Sequence, residues 1–249
     1  MLMTATVDPG EYAAQLSRAT SDLRTRDYLE AIRFWAAHPD ARIQGVVFCE
    51  NSGADLRIFE SEVVRFSSTR ALEVLGFRGN ARPAGVHHGY AELGTIDYAC
   101  HNSTLLKNCR RFAKVTGRYL FPRITRLIDS FDDDLLAAVD CRRAYRREGG
   151  VRVRARTQLM FFAREFYEEE LGGTREQMLG NCSHIEEFLP QKLFPLYQRR
   201  TAGIYLRWKL ECPAVGYDAR RNKDYAAARE ILKTAIRSAC RRFLPPMWL

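Results

Sequence analysis

Cysteine pairs are missing from this sequence. Its seven cysteines (49, 100, 109, 141, 182, 212 and 240) are odd in number, scattered over 249 residues, and show no CxxC spacing. A disulfide framework and a thiolate zinc site are therefore not expected, and a reducing cytoplasm is the simplest home. No run of 18 or more apolar residues occurs, so no segment is expected to span a bilayer. The opening, MLMTATVDPGEY, has neither the basic head nor the long apolar stretch of a secretion signal. Histidines number only five, and His87-His88 and His184 lack partners at metal-ligand spacing. They read as ordinary loop residues, and no metal site is expected.

What is present is core material and positive charge. Hydrophobic residues make up 46% of the chain, enough for one large domain or one domain with an appendage. The 39 Lys and Arg exceed the 30 Asp and Glu, giving a net charge of +9. That balance suits nucleic acid, anionic lipid or phosphorylated substrates, although interleaved acids make much of it a solvated surface. A nucleic-acid-binding protein without sugar chemistry is the alternative reading. Against it, aromatics are not interleaved with the basic runs as stacking surfaces require, and nucleic acid is not an expected partner.

Periodicity predicts strands alternating with helices. Leu2 to Val7 reads as a strand closed by the turn Asp8-Pro9-Gly10, and Asp22 to His38 as a helix burying Tyr28, Ile32 and Trp35. The near-continuous apolar run Ile43 to Cys49 suits a parallel strand covered on both faces. Helices are expected at 56–64, 90–100 and 105–111, with a short strand and a Gly/Pro-rich loop between 65 and 85. FAKVTGRYLFPR (112–123) and LLAAVDCR (135–142) read as strands. LMFFAREFYEEEL (159–171) reads as an amphipathic helix, followed by SHIEEFLPQKLFPLY and a basic helix over roughly 224–243. This order predicts an α/β fold on a mostly parallel sheet flanked by helices, with a helical extension at the carboxyl terminus.

Ligands of such sheets bind beyond the carboxyl ends of the strands, so polar breaks there are candidate sites. CENSGAD offers Glu50, Asn51 and Ser52 to a ribose or base, or else a βα loop in which Ser52 or Asp55 caps a helix. KVTGRY offers Lys114 and Arg118 to a diphosphate, with Thr116 between and Gly117 allowing backbone approach. The alternative is an edge strand whose outward cations discourage aggregation. Asp140 and Arg142 follow a third strand. FDDD (131–134) precedes that strand, on the side away from a ligand edge.

The succession TATVDP, RTRDYLEAIRFW, VVFCENSGADL, GYAELGTIDYACHNSTLLKNCRRFAKVTGRYLF, VDCR and HIEE resembles bacterial glycosyltransferase-like proteins of lipopolysaccharide and capsule gene clusters. The resemblance covers roughly residues 2 to 197. It implies a GT-A-like, Rossmann-related fold and transfer of a sugar from a nucleotide-sugar donor to a glycan or lipid-linked acceptor. Residues 1–200 would form the nucleotide-sugar domain and 201–249 a carboxyl-terminal segment with the basic amphipathic helix. The implied donor-binding residues are Thr6, Arg24, Glu50, Asn51, Ser52, Lys114, Thr116, Gly117, Arg118, Asp140 and Arg142. Ala91 departs from the group's usual Gly. The Asp-x-Asp that usually holds a divalent ion is also absent, so paired cations rather than Mg²⁺ or Mn²⁺ are expected to neutralise the diphosphate.

Glu92 and Glu186 match the group's pattern for a catalytic carboxylate. Glu186 equally fits a capping box with Ser183. In the last helix Arg229, Lys233, Arg237 and Arg241 recur every four residues and so form one stripe. With Trp248 near the end, residues 224–249 suit either the inner face of an anionic membrane or a helix that packs its apolar face on the domain and leaves its cations in water.

Overall fold

The computed structural model describes residues 1–145, 151–180, 184–218, 224–225 and 227–244. Seven strands form one sheet: β1 (Leu2–Ala5), β2 (Gly45–Glu50), β3 (Ala71–Gly76), β4 (Arg111–Thr116), β5 (Ala137–Tyr145), β6 (Val151–Ala163) and β7 (Ile204–Tyr205). Their order is β3-β2-β1-β4-β6-β5-β7. Pairing is parallel from β3 through β4 and between β5 and β7; only β6 runs against its neighbours. The mostly parallel sheet flanked by helices is thus present.

The helices are α1 (Ser21–Ala36), α2 (Arg57–Phe66), α3 (Gly89–Asn102), α4 (Thr104–Lys107), α5 (Ile124–Ile128), α6 (Arg164–Glu170), α7 (Ile185–Gln198) and α8 (Ala228–Phe243). Alternate strand residues feed two cores. Leu2, Val47, Met160 and Phe162 join Leu93, Ile96 and Leu189 on one face. Met3, Phe48, Val115 and Phe161 join Tyr28, Trp35 and Phe59 on the other. A strand buried on both faces has no polar side to display.

That accounts for one misread element. LMFFA (159–163) is the end of strand β6, and the helix α6 occupies only 164–170. Leu159 and Phe161 enter one core, Met160 and Phe162 the other, and a continuous apolar run cannot be told from a buried helix by periodicity. β4 is shorter than expected, ending at Thr116, and it lies between β1 and β6. The edge-strand alternative for KVTGRY is therefore excluded. The chain beyond residue 200 joins the same sheet and core: β7 pairs with β5, and Trp208, Cys212 and Ala214 are core residues.

α8 is turned inside out. Its inward side carries Glu230 and Arg241, both buried. Ile231, Leu232, Ile236 and Phe243 face solvent at 51–71% exposure. The alternative in which α8 packs its apolar face on the domain is corrected, because a stripe of cations says nothing about which side the domain will cover. Trp248 lies outside the described residues.

Candidate active site

The amino ends of α3 and α7 meet at the carboxyl edge of the central strands. Gly89 opens α3, and a Cβ there would collide with the side chain of Ile185, the first residue of α7. The missing side chain lets the two helix starts close on each other. Each carries a carboxylate in its first turn, Glu92 and Glu186, where the helix dipole favours negative charge.

Lys114 lies under this meeting point and is fully buried. Its ammonium donates to Glu92 Oε1, to Thr116 Oγ1 at 3.1 Å and to the Thr157 carbonyl at 2.8 Å. Thr116 and Thr4 hydroxyls donate to the same Glu92 oxygen at 3.2 and 3.4 Å. The expectation that Lys114 faces a diphosphate is corrected: its charge is committed to Glu92 and no surface of it is open to a ligand. Burial by itself would raise Glu92, but the charge and hydrogen bond of Lys114 outweigh it and hold Glu92 below the usual carboxylate range.

Glu186 is pushed the other way. Burial raises its pKa and the negative charge of Glu92 adds to that, while a hydrogen bond from its own backbone N–H, Arg154 and Lys114 only partly oppose it. Its Oε2 is buried without a hydrogen-bond partner. The nearest groups stand off at 3.9 Å (His87 Nδ1 and His184 Nδ1) and 3.8 Å (Arg154), too far for hydrogen bonds. The capping-box partner Ser183 lies outside the described residues; the residue before α7 is His184, which makes no side-chain cap bond. Two like groups on one sheet edge are thus held at opposite ends of their range.

The ENSG turn is organised around its own carboxylate. Glu50 accepts from the backbone N–H of Val7 (2.8 Å), Ser52 (2.9 Å), Gly53 (3.0 Å) and Ala54 (3.2 Å), and from the Ser52 hydroxyl at 2.5 Å. Glu50 therefore folds the loop, and neither its contact to a ribose nor a Ser52 helix cap is realised; α2 begins after Leu56. Asn51 accepts from Thr6 Oγ1 at 2.7 Å and donates to Thr95 Oγ1 at 2.8 Å. Gly53 takes φ +74°, which a side chain would strain.

Gly117 also answers a different need from the one expected. A Cβ at Gly117 would lie 2.8 Å from the Thr4 carbonyl and 3.1 Å from the Tyr28 ring, so the close approach is to β1 and α1 rather than to a ligand.

Arg24 and Arg118 remain as cations near this edge. Arg24 is buried, donating to the Thr6 carbonyl at 2.6 Å, the Tyr28 hydroxyl at 3.0 Å and the Arg18 carbonyl at 3.4 Å, all oxygens of neutral groups. Arg118 donates to the Tyr217 carbonyl at 3.2 Å, and its charge reaches Lys114 and His88. Asp140 and Arg142 are corrected as donor ligands. Asp140 is buried against Arg241 at 2.6 Å, with Arg142 and Arg156 at 3.2 and 3.6 Å, and Arg142 also pairs with Glu211 at 3.0 Å. Against the cost of burial these arginines hold Asp140 below its ordinary value. With Asp140 so engaged and Asp132 to Asp134 exposed ahead of β5, the residues do not fit an Asp-x-Asp metal site.

Sequence reasoning missed the histidines. His87 stacks within 3.7 Å of His88 and 3.9 Å of His184, ring centre to ring centre, beside Glu186. Burial, His88 and His184 push His87 down to about 2. The available signal was positional: HHG and SHIE each precede the first-turn Glu of a helix flanking the same sheet.

No protein-family model matches this chain, and no curated protein matches it. Among solved structures, HddC from Yersinia pseudotuberculosis aligns with a TM-score of 0.42 at 11% identity, over 95% of this chain and 97% of its own. A Desulfovibrio desulfuricans G20 protein, by name a nucleotide-diphospho-sugar transferase, aligns with 0.43 at 11%, over 80% and 75%. A Bacillus anthracis protein named for glucose-1-phosphate thymidylyl transfer, solved with sucrose, aligns with 0.45 at 10%, over 98% and 96%. At such identities and scores the fold rests on the strand order of this chain itself.

Proposed function

We propose that this protein is a glycosyltransferase that moves a sugar from a nucleotide-sugar donor to a cell-surface glycan or lipid-linked acceptor. The observation that carries the reading is the pair of carboxylates at the strand edge, Glu92 lowered by Lys114 and Glu186 raised, with its Oε2 free of hydrogen bonds. Environments that push two acids apart in pKa separate their roles. Glu186 takes the proton of the acceptor hydroxyl as its oxygen attacks the anomeric carbon. The bond from that carbon to the diphosphate breaks, and the electron pair leaves with the nucleoside diphosphate. Arg118 and Arg24 supply positive charge for that leaving group. Glu92 orders the floor of the site with Thr4, Thr116 and Lys114. The resemblance in sequence supports the same reading.

Calorimetry and thermal shift with UDP-, GDP-, CMP- and TDP-linked sugars test it. At least one donor binds, and Arg118→Ala weakens that binding by roughly 1.5–3 kcal/mol, the scale of hydrogen bonds to a charged group, with circular dichroism unchanged. A response only to a nucleoside triphosphate with a sugar phosphate would replace glycosyl by nucleotidyl transfer. A response only to oligonucleotides would overturn the proposal.

The outward apolar face of α8, with Arg229 and Arg242 also exposed, supports contact with an anionic leaflet where a lipid-linked acceptor lies. The full-length protein is expected to sediment with anionic vesicles at low salt, and replacing Ile231, Ile236 and Phe243 by Ser abolishes this. Equal sedimentation of the triple variant excludes α8 as the contact.

A further inference from the structure

We propose that His87, His88 and Glu186 form a binding site for a divalent transition-metal ion such as Zn²⁺. Each offers one ligand atom, and those atoms all lie within 4.8 Å of one another. Ligand atoms around a zinc ion stand about 2.0–2.2 Å from the metal, so small side-chain rotations would close this group onto one ion.

The arrangement fits an ion better than it fits itself. Glu186 Oε2 is buried, accepts no hydrogen bond, and faces two imidazoles at 3.9 Å, too far to be satisfied by either. A buried acceptor left unsatisfied is costly, and a cation at this place would relieve it. His184 is the fourth group in reach, its ring centre 3.9 Å from that of His87. Imidazole nitrogens with one carboxylate suit zinc and its first-row neighbours more than Mg²⁺ or Ca²⁺, which prefer oxygen. Arg154 stands 3.8 Å from Glu186, a contact loose enough to yield. Three protein ligands leave an open coordination position, as in sites that also bind a substrate oxygen. The ligands are brought together by the Gly89–Ile185 contact between the two helix starts. A monodentate ion on Oε2 leaves the other oxygen of Glu186 able to accept a proton.

Full-length protein stripped with EDTA and dialysed is titrated with ZnCl₂ by calorimetry, without any nucleotide. One equivalent binds per chain, and Co²⁺ in its place gives the visible absorption of an imidazole-ligated ion. His88→Ala, at an exposed position that leaves the core intact, and Glu186→Gln each weaken zinc binding by at least about tenfold, since even outer-shell partners of a metal are worth that much. His101→Ala, remote on the far end of α3, leaves it unchanged. Absence of stoichiometric binding, or equal losses in His101→Ala and His88→Ala, overturns the site. Because no donor is present, either result leaves the transferase reading to its own test.

Discussion

Glu186→Gln is expected to lower turnover by about 10²–10⁴-fold while donor affinity stays at the wild-type value. The amide keeps the size of the side chain and can still accept a hydrogen bond, but it cannot take the acceptor's proton, and general-base catalysis is worth that factor. The pH profile separates this from a packing effect. Burial and the charge of Glu92 raise the pKa of Glu186, so the wild-type rate climbs as pH rises through that elevated value and the base loses its proton. The variant lacks this limb. If Glu186→Gln instead melts earlier and turns over normally, Glu186 belongs to the helix start and not to the reaction.

Lys114→Met should be the most destabilising single change at the site. Methionine fills much of the space but leaves Glu92 enclosed without its counter-charge, and breaking a buried pair in this way costs about 3–5 kcal/mol. For a chain of this length that is a fall in Tm of about 6–20 °C. The loss should grow with pH. Without Lys114, the folded-state pKa of Glu92 moves above its unfolded value, so the variant is relatively stable at acid pH, where Glu92 is neutral, and loses stability as pH rises. Adding Glu92→Gln should restore much of the Tm and remove the pH dependence. A shift of only a degree or two in Lys114→Met would mean that Lys114 contributes little beyond its stem.

Parallel strands β1, β2 and β4 could be read from the sequence because each is a short apolar run ending in polar residues. β6 could not, since burial on both faces erases the alternation that marks a strand. Glu92 and Glu186 came from the resemblance, and the edge rule pointed to Lys114. It could not show which of them touch. Lys114 reaches a carboxylate 22 positions away, and Asp140 an arginine 101 positions away, pairings that only the folded topology creates. Glu50 was misassigned for a related reason. A carboxylate after a strand looks the same in sequence whether it waits for a ligand or gathers three N–H groups of its own turn and one from the turn after β1.

The inverted helix α8 bears on where this chain can be cut. Its greasy outer side makes residues beyond 227 an obvious stretch to trim in search of a better-behaved protein. Yet Arg241 donates to Asp140, to Glu211 at 2.9 Å and to the Trp208 carbonyl, so the tail supplies the guanidinium that closes the β5 side of the core. A shortened chain would keep both acids and lose the guanidinium closest to Asp140. Solubility is better sought by making the outer face polar residue by residue, with Arg241 left in place.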